Sequence, residues 1–475
     1  AHSAPLPMED LGDAGFKAAV GLRYADVCGA MANGITSVEM VKAAGQAGMG
    51  GFFGAAGLAP SQVEEAIDRL QAVSPEIPFG FNLIHSPNDS SLEQEIVELY
   101  LRRGVHKVSA SAYLDLTLPL VYYRVKGIHA GPDGKAVCPN KVVAKVSRME
   151  VARRFLAPPP EKLLKALVGQ GLITQEEAGL AKTMAMADAV SAEADSGGHT
   201  DNRPALALLP TLLALRDESM ATHGYARPIP VGLGGGIATP DAAAAAFAMG
   251  AAYVLTGSVN QACVEAGTCE AVRKMLAEAE QADVIMAPAA DMFEMGVRVQ
   301  VLKRGTMFAM RASRLYDLYN THASFDDLAP ADRQFVEKQL LQTSFEEAWQ
   351  QTMGFFRERD PDQIERALKD PKHKMALVFR SYLGQTSRWA VNGVAHRQID
   401  YQIWCGPAMG AFNAWTRGSF LAAPEKRDTV TVGLNLLFGA AVQIRCQQLR
   451  YQGADLPAHL GRIRPMTAAE IFAYC

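Results

Sequence analysis

Two glycine-rich turns, about twenty residues apart, could bind an anion. The first spans residues 231–237 and the second residues 253–258, and each joins a short apolar stretch to a helix-like segment. Glycines at a strand-to-helix turn let backbone N–H groups approach an anion closely, and the helix N-terminus adds a favourable dipole. Two such turns on adjacent parallel strands bind phosphate in many βα barrels. Their repetition favours a phosphate site over two structural turns. The residues expected to surround the phosphate are Gly234, Gly235, Gly236, Thr256, Gly257 and Ser258.

A histidine that follows two glycines is the candidate for proton transfer. His199 comes directly after Gly197 and Gly198, at the end of a predicted strand. Its imidazole would therefore project over the open end of the sheet, with little bulk around it. Histidine suits general acid–base chemistry because its pKa lies near neutral pH. The alternative is a loop histidine bonded to backbone; the two preceding glycines and the position at the strand end favour a catalytic role.

The other predicted strand ends suit a flat ring that carries a phosphate, which favours FMN over a sugar phosphate. Gly54, Ala55 and Ala112 would let a ring lie against backbone, and Asn82 could hydrogen-bond the edge of the ring. Met31 would support the ring or simply fill the barrel, and these two readings stay open. Besides the phosphate turns, the positions predicted to bind the cofactor are Ala30, Met31, Ala32, Asn82, Lys145, Gly197 and Gly198.

These positions depend on a regular alternation of short apolar stretches with amphipathic segments. Such alternation predicts a parallel sheet with right-handed crossovers. An α/β TIM (βα)8 barrel is therefore the predicted fold, with a doubly wound open sheet as the alternative. The predicted strands are 26–31, 50–55, 78–84, 107–112, 141–146, 189–194, 230–233 and 252–256.

Three segments are predicted along the chain. Residues 1–14 would be a lead-in or a cloning remnant, and residues 15–285 would form the βα barrel, with a helical insertion at about 147–185. Past residue 285 the alternation stops. Residues 286–475 are predicted to form a mainly helical C-terminal domain that covers the barrel, and all four tryptophans lie in it.

Composition narrows the function classes. The 475 residues carry a net charge of −4 with both signs dispersed, which does not indicate nucleic-acid binding. The seven scattered cysteines favour reduced thiols in a cytoplasm over a disulfide framework or a zinc site. Neither a signal peptide nor a membrane span is expected. No histidine pair has metal-ligand spacing, so no metal site is predicted.

Taken together, these motifs resemble the flavin barrels of the nitronate monooxygenase and bacterial FMN enoyl-reductase group. The matching pieces are Ala30-Met31, Asn82, Gly197-Gly198-His199, Gly235-Gly236-Ile237 and Thr256-Gly257, within residues of about 20 to 285. One departure is Gly29, where that group usually has a proline.

A closer resemblance is to the trans-acting enoyl reductases (PfaD family) of polyunsaturated fatty-acid and polyketide synthases. It covers nearly the whole chain, including the helical half, and its longer strings are the more specific evidence. The strings that carry it are residues 29–34, 194–203, 287–296, 301–307 and 400–413.

This resemblance implies FMN, a nicotinamide reductant such as NADPH, and an α,β-unsaturated thioester on an acyl carrier protein. Hydride would go to the β-carbon, and His199 would donate the α-proton or polarise the carbonyl. Asn202 and Arg203 would orient flavin or substrate. The oligomeric state stays open, with a homodimer among the alternatives.

Docking of an acidic carrier protein would require basic groups near the barrel mouth. Two sets of cations are candidates, although a solvated face is the alternative for each. The first set is Lys141, Lys145, Arg148, Arg153 and Arg154, and the second is Lys303, Arg304, Arg311 and Arg314.

Two other functions compete with this one. A nitronate-type flavin oxygenase would share the barrel and His199 but pass electrons to oxygen. A non-catalytic assembly subunit would keep the barrel as a scaffold. NADPH oxidation that depends on an enoyl thioester would indicate the reductase, and oxidation that depends on a nitronate would indicate the oxygenase. A colourless purified protein would favour the assembly subunit.

Overall fold

A closed barrel of eight parallel strands forms the centre of the computed structural model, which describes residues 4–85 and 90–474. The strands follow one another around the barrel in chain order, and the last pairs with the first. The TIM barrel prediction is confirmed, and the open sheet is wrong. In chain order the strands are β1 (Asp26–Cys28), β2 (Gly50–Phe53), β3 (Gly80–Ile84), β4 (Lys107–Ser111), β5 (Lys141–Val146), β6 (Ala189–Glu193), β7 (Val231–Gly234) and β8 (Val254–Thr256).

Helices surround this barrel, and the insertion predicted at about 147–185 contains three of them. A small antiparallel hairpin pairs His129–Ala130 with Ala136–Val137. The helices as far as residue 277 are Ala14–Val20, Val38–Gln46, Pro60–Gln71, Ser90–Arg102, Leu118–Val125, Met149–Leu156, Glu161–Gly169, Gln175–Ala181, Ala205–His223, Pro240–Ala248, Ser258–Gln261 and Glu270–Ala277.

Residues 36–39, Thr-Ser-Val-Glu, have the pattern of a capping box, but the cap lies one residue later than that pattern implies. Ser37, not Thr36, caps the helix, since its hydroxyl accepts from the Met40 N–H at 3.1 Å. The buried Thr36 hydroxyl instead donates to the Gly29 carbonyl at 2.6 Å and accepts from the Met31 N–H at 2.9 Å. These bonds turn the chain after Cys28, and β1 is therefore shorter than predicted.

Past the barrel, the chain is mainly helical but also contains two strands. Val284–Pro288 pairs with Arg298–Leu302, which pairs in turn with the short strand Gly198–His199. The helices are Phe308–Thr321, Pro330–Gln334, the π-helix Phe335–Leu341, Phe345–Arg359, Pro361–Lys369, Pro371–Asn392, Ala408–Thr416, Thr429–Tyr451 and Ala468–Phe472. Short 3-10 helices lie at Met8–Asp10, Gln281–Asp283, Ala395–Asp400, Phe420–Ala422, Pro424–Lys426 and Ala458–Gly461.

Residues 330–357 do not form one continuous helix. Gln342 adopts a left-handed backbone conformation with φ of 59°, which ends the π-helix. Two residues later Ser344 and Glu347 form a capping box, with the Ser344 hydroxyl accepting from the Glu347 N–H. Such a cap satisfies the first N–H groups of a new helix, so the helix restarts there.

Two hydrophobic clusters divide this half of the chain. One, between Ala287 and Leu383, has its own buried core around Phe293, Phe379 and Trp349. From Tyr401 onward the buried residues join the cluster of the barrel itself. Residues 4–13 join it too, through Met8 and Leu11, which are 1% and 3% exposed. The barrel core thus includes part of the predicted lead-in, and the domain limits drawn from sequence stay a prediction.

Among the described residues, the helix Thr429–Tyr451 is long and apolar enough by composition to cross a membrane. Most of it is buried inside the molecule, and it packs against the barrel helix Pro240–Ala248. Length and apolar character are equally properties of a core helix.

Candidate active site

The two glycine turns meet at the carboxyl end of the barrel. β7 and β8 are neighbours, with Gly234 paired to Leu255, so the turns that follow them lie side by side. Gly235 and Gly236 have φ of 87° and 79°, conformations that L-residues rarely adopt. A methyl group on Gly235 would lie 2.7 Å from the Ala194 carbonyl, whereas one on Gly236 or Gly257 would meet nothing within 4 Å. Gly236 and Gly257 therefore border open space, and we call this pair of turns the glycine cradle.

The side chains beside the glycine cradle are engaged within the protein. The Thr256 hydroxyl is buried and accepts from the Asn260 amide at 2.8 Å. The Ser258 hydroxyl accepts from the Gly406 N–H at 3.0 Å, which ties the C-terminal half to the cradle. Ser258 can still donate its hydroxyl proton to an anion, whereas the Thr256 backbone lies in the β1–β8 ladder, where its carbonyl accepts from the Gly29 N–H at 2.8 Å.

Next to the glycine cradle, Ala30, Met31 and Ala32 form the partly exposed loop after β1, the strand that pairs with β8. Asn82 is 6% exposed, and its amide donates to the Ser109 carbonyl at 3.1 Å and to the Ser111 hydroxyl at 3.2 Å. Both amide protons of Asn82 thus link β3 to β4. Any bond from Asn82 to a ring edge would use its oxygen.

Lys145 lies at the carboxyl end of β5 beside a carboxylate of β6. Its ammonium is 2.8 Å from Glu193 Oε1, with side chains 25% and 14% exposed. The Ser196 hydroxyl donates to the same oxygen at 3.3 Å. Glu193 was not among the candidates from sequence, although it precedes the Asp195–His199 string by only two residues.

His199 lies on the short strand that joins the barrel to the antiparallel sheet, opposite Val299. Its Nε2 is 3.1 Å from Asp291 Oδ1, and its side chain is 36% exposed. Burial and the positive charge of Lys145 lower the pKa of His199. The hydrogen bond and negative charge of Asp291, together with the charge of Glu193, raise this pKa by more. The pKa of His199 is therefore raised above that of an ordinary histidine, which shifts its equilibrium toward the imidazolium.

Asp291 comes from the loop between the strands Val284–Pro288 and Arg298–Leu302. Burial alone would raise the pKa of Asp291, but the hydrogen bond and charge of His199 outweigh it and lower that pKa. Sequence reasoning singles out the string 287–296 but assigns no role to this residue. A carboxylate inside a distinctive string was the available signal, but its partner lies 92 positions away.

The loop that carries His199 is closed by its own hydrogen bonds. The Asp195 N–H donates to the Arg203 carbonyl at 3.0 Å, and the Asn202 amide donates to Asp195 Oδ1 at 2.8 Å. Gln300 donates to the same Asp195 oxygen and to the Ser196 carbonyl, both at 2.8 Å. Asn202 thus fixes the loop, while Arg203 is exposed. Their predicted substrate contacts stay a prediction.

The two basic sets predicted for docking are only partly at the mouth. Lys141 begins β5 and lies at the opposite, amino end of the barrel, next to Lys107 in register. Arg311 is 8% exposed and is paired with the buried Asp400. These two placements were wrong, because charge alone does not reveal which end of a strand or which face of a helix a residue occupies. Other members are paired with acids: Arg148 with Asp201, Arg153 with Glu218, Arg154 with Asp115, Arg304 with Asp283 and Arg314 with Asp332.

Comparison with known proteins identifies the family to which this chain belongs. A model described as nitronate monooxygenase matches residues 18–318, the barrel and the sheet that carries His199 and Asp291. The chain belongs to the nitronate monooxygenase family. A second model, described as the inserted helical domain of [acyl-carrier-protein] S-malonyltransferase, matches residues 322–401.

Individual relatives show to which members of this family the chain is similar. A polyunsaturated fatty acid synthase component of Thraustochytrium sp. is 47% identical over 94% of this chain and 30% of its own length. Polyketide biosynthesis protein PksE of Bacillus subtilis is 42% identical over 96% of this chain and 59% of its own length. The crystal structure of the enoyl reductase domain of MlnA, from the macrolactin cluster of Bacillus amyloliquefaciens, is 36% identical. It covers 94% of this chain and 100% of that domain, with a TM-score of 0.89.

These matches confirm the predicted resemblance to enoyl reductases of polyunsaturated fatty-acid and polyketide synthases within the nitronate monooxygenase family. The chain is an oxidoreductase by family. It spans 30% and 59% of the two curated relatives described, so the activities of those whole proteins pass to it only as proposals.

Proposed function

We propose that the chain is an FMN-dependent enoyl reductase that acts in trans on α,β-unsaturated thioesters bound to an acyl carrier protein. The synthase would make polyunsaturated fatty acids or polyketides, and NAD(P)H would be the reductant. The observation that carries the proposal is the 36% identity to the MlnA enoyl reductase domain, over all of that domain. The similarity to PksE and to the fatty-acid synthase component supports the class of pathway.

The glycine cradle is suited to the phosphate of FMN. Gly236 and Gly257 leave space where any larger residue would place a side chain, and they lie on neighbouring turns. Backbone N–H groups exposed in this way bind phosphate without a metal. The Ser258 hydroxyl would complete this end of the site, and Thr256 would act by holding the second turn against β1. Lys145 and the Ala30–Ala32 loop would lie nearer the ring.

When bound, the flavin would supply a hydride that it takes from NAD(P)H. The chain's own contribution is a proton and a place for developing charge. Addition of hydride to the β-carbon moves an electron pair toward the α-carbon and the thioester oxygen, so an acid is needed there. The raised pKa of His199 favours the protonated imidazole that could serve as this acid.

A carrier-protein partner is supported by the helical segment 322–401, because its family model is named after an enzyme that acts on acyl carrier protein. Of the predicted basic sets, the cations outside the core and away from the amino end of the barrel remain candidates for docking. Charge reversal at Lys303 and Arg314 should raise KM for carrier-bound substrate and leave a small thioester unaffected. If the charge-reversal variants have the same KM for carrier-bound substrate as wild type, this docking site is refuted. A cytoplasmic location and a homodimer stay predictions.

An anaerobic titration tests the activity itself. The purified protein should show a flavin spectrum that bleaches with NADPH and returns when a crotonyl thioester is added. The His199→Ala variant should keep the flavin spectrum and the bleaching step but reoxidise about 100-fold to 10,000-fold more slowly, the usual range for a lost general acid. Reoxidation at the wild-type rate would refute the role of His199.

The second candidate is a nitronate oxygenase, which the name of the matching family model favours. Turnover of a nitronate with oxygen uptake, without response to enoyl thioesters, would support that reading. A colourless protein that takes up no FMN would favour a scaffold role instead.

A further inference from the structure

We infer that Asp291 is a positioning residue for His199 and that Arg380, on a helix of the hydrophobic cluster between Ala287 and Leu383, holds Asp291 in place. This inference rests on the proposed reductase function and deepens it. It assigns to the helical half of the chain a direct part in proton transfer at the barrel mouth.

The contact between the two side chains is specific in geometry. Asp291 Oδ1 lies 3.1 Å from Nε2 of His199, a distance at which an N–H group donates to a carboxylate. A carboxylate in this position fixes the orientation of an imidazole and the nitrogen that carries the proton. With Nε2 engaged by Asp291, Nδ1 is the nitrogen left to serve the substrate.

Arg380 fixes the loop that carries Asp291. It lies on the helix Pro371–Asn392, and its side chain is 17% exposed. Its guanidinium donates to the Ala290 carbonyl at 3.1 Å, to the Asp291 carbonyl at 3.3 Å and to Glu294 Oε1 at 3.2 Å. Three bonds from one planar group to one loop hold the backbone of Asp291 directly, and a lysine could not reproduce all of them.

The charges around His199 come from three elements. Asp291 lies on the loop of the antiparallel sheet, Glu193 on β6 and Lys145 on β5. Lys145 is neutralised by Glu193 at 2.8 Å, so the carboxylate of Asp291 is the charge that directly contacts the imidazole. Removal of that charge should therefore make the imidazolium less stable, while the Lys145–Glu193 pair stays as it is.

The chemical step balances with this arrangement. A bound flavin would supply the hydride, drawn from NAD(P)H, for the new bond to the β-carbon, and the π electron pair would move toward the α-carbon. The proton on Nδ1 of His199 then forms the new bond at the α-carbon. The imidazole ends neutral and keeps its proton on Nε2, in the hydrogen bond to Asp291, and water reprotonates Nδ1 before the next turnover.

The pH dependence of kcat/KM for a small crotonyl thioester, measured with NADPH under anaerobic conditions, tests the inference. In Asp291→Asn the alkaline limb should move to lower pH, with a loss on the order of tenfold at about pH 8 and less than about twofold at about pH 5.5. Arg380→Met should shift the limb in the same direction by less, and Arg380→Lys should fall between Arg380→Met and wild type. Asp283→Asn is the matched control: it removes another carboxylate of the same hairpin, which is paired with Arg304 at 3.5 Å. Its profile should match that of wild type.

A second measurement separates this inference from the proposed function. NMR can follow the chemical shift of a His199 ring proton as a function of pH in labelled wild-type and Asp291→Asn protein, without any turnover. A lower titration midpoint in Asp291→Asn supports the coupling even if no enoyl thioester is reduced. Superimposable titrations and superimposable pH profiles in an active enzyme would overturn the inference and leave the reductase proposal standing.

Discussion

The replacement of Gly236 by alanine tests the glycine cradle with little ambiguity. Gly236 has φ of 79°, so alanine there is strained, but its methyl group would meet no protein atom within 4 Å. Gly171, in an exposed turn of the helical insertion, has φ of 71° and the same open surroundings. Both alanine variants should lose about 1–2 kcal/mol of folding free energy from the left-handed backbone. Only the Gly236 variant places a methyl group where the proposed phosphate would approach the backbone.

The expected difference lies in FMN affinity. A hydrogen bond to a charged group contributes about 1.5–3 kcal/mol, and its loss at the phosphate corresponds to about a tenfold to hundredfold increase in Kd. Fluorescence titration of the FMN-free protein measures this directly, and urea unfolding of both variants checks that their stability losses match. If Gly236→Ala and Gly171→Ala bind FMN within about twofold of wild type, the cradle does not bind the phosphate.

Two further predictions concern stability. Burial raises the pKa of Asp26 from 3.8 to about 7, so this carboxyl loses its proton at a lower pH in the unfolded chain than in the folded chain. The free energy of unfolding therefore falls as pH rises from about 4 to about 7. In urea unfolding, the free energy of unfolding of Asp26→Asn relative to that of wild type should therefore be up to about 4 kcal/mol higher at pH 8 than at pH 4. A relative free energy that is the same at both pH values would contradict this. Arg124 is 2% exposed and lies 2.6 Å from Asp188, so Arg124→Met should cost about 3 kcal/mol; a loss below about 1 kcal/mol would show that the pair contributes little.

The candidate site is built from both halves of the chain. The barrel provides the glycine cradle, Lys145 and Glu193, and the antiparallel sheet beyond it provides Asp291. The segment around Gly406 reaches back to donate to Ser258. A methyl group on Gly197 would lie 2.8 Å from the Cys405 backbone nitrogen, so these two segments pack backbone to backbone. A barrel cut off at its last strand would therefore lack the partner of His199 and part of the support of the cradle.

Some of this architecture is determined by local sequence. Strand–helix alternation depends on the period of apolar residues along the chain, and for that reason the eight strands and the TIM barrel could be predicted. The glycine turns and the position of His199 could be predicted as well, because a residue at the carboxyl end of a barrel strand must lie at the mouth. The cap of the helix that begins at Pro240 is local as well, since the Thr239 hydroxyl accepts from the Ala242 N–H.

Other features were decided only by tertiary structure, because they depend on contacts between distant residues. Asp291 is 92 positions from His199, and Arg380 lies a further 89 positions along the chain from Asp291. No local pattern shows that such residues meet. Lys141 and Arg311 show the same limit for charge: pairing in the barrel puts Lys141 at the amino end, and packing buries Arg311 against Asp400. The sequence alone therefore located the barrel mouth and its histidine, while the folded chain determined which carboxylate and which arginine support that histidine.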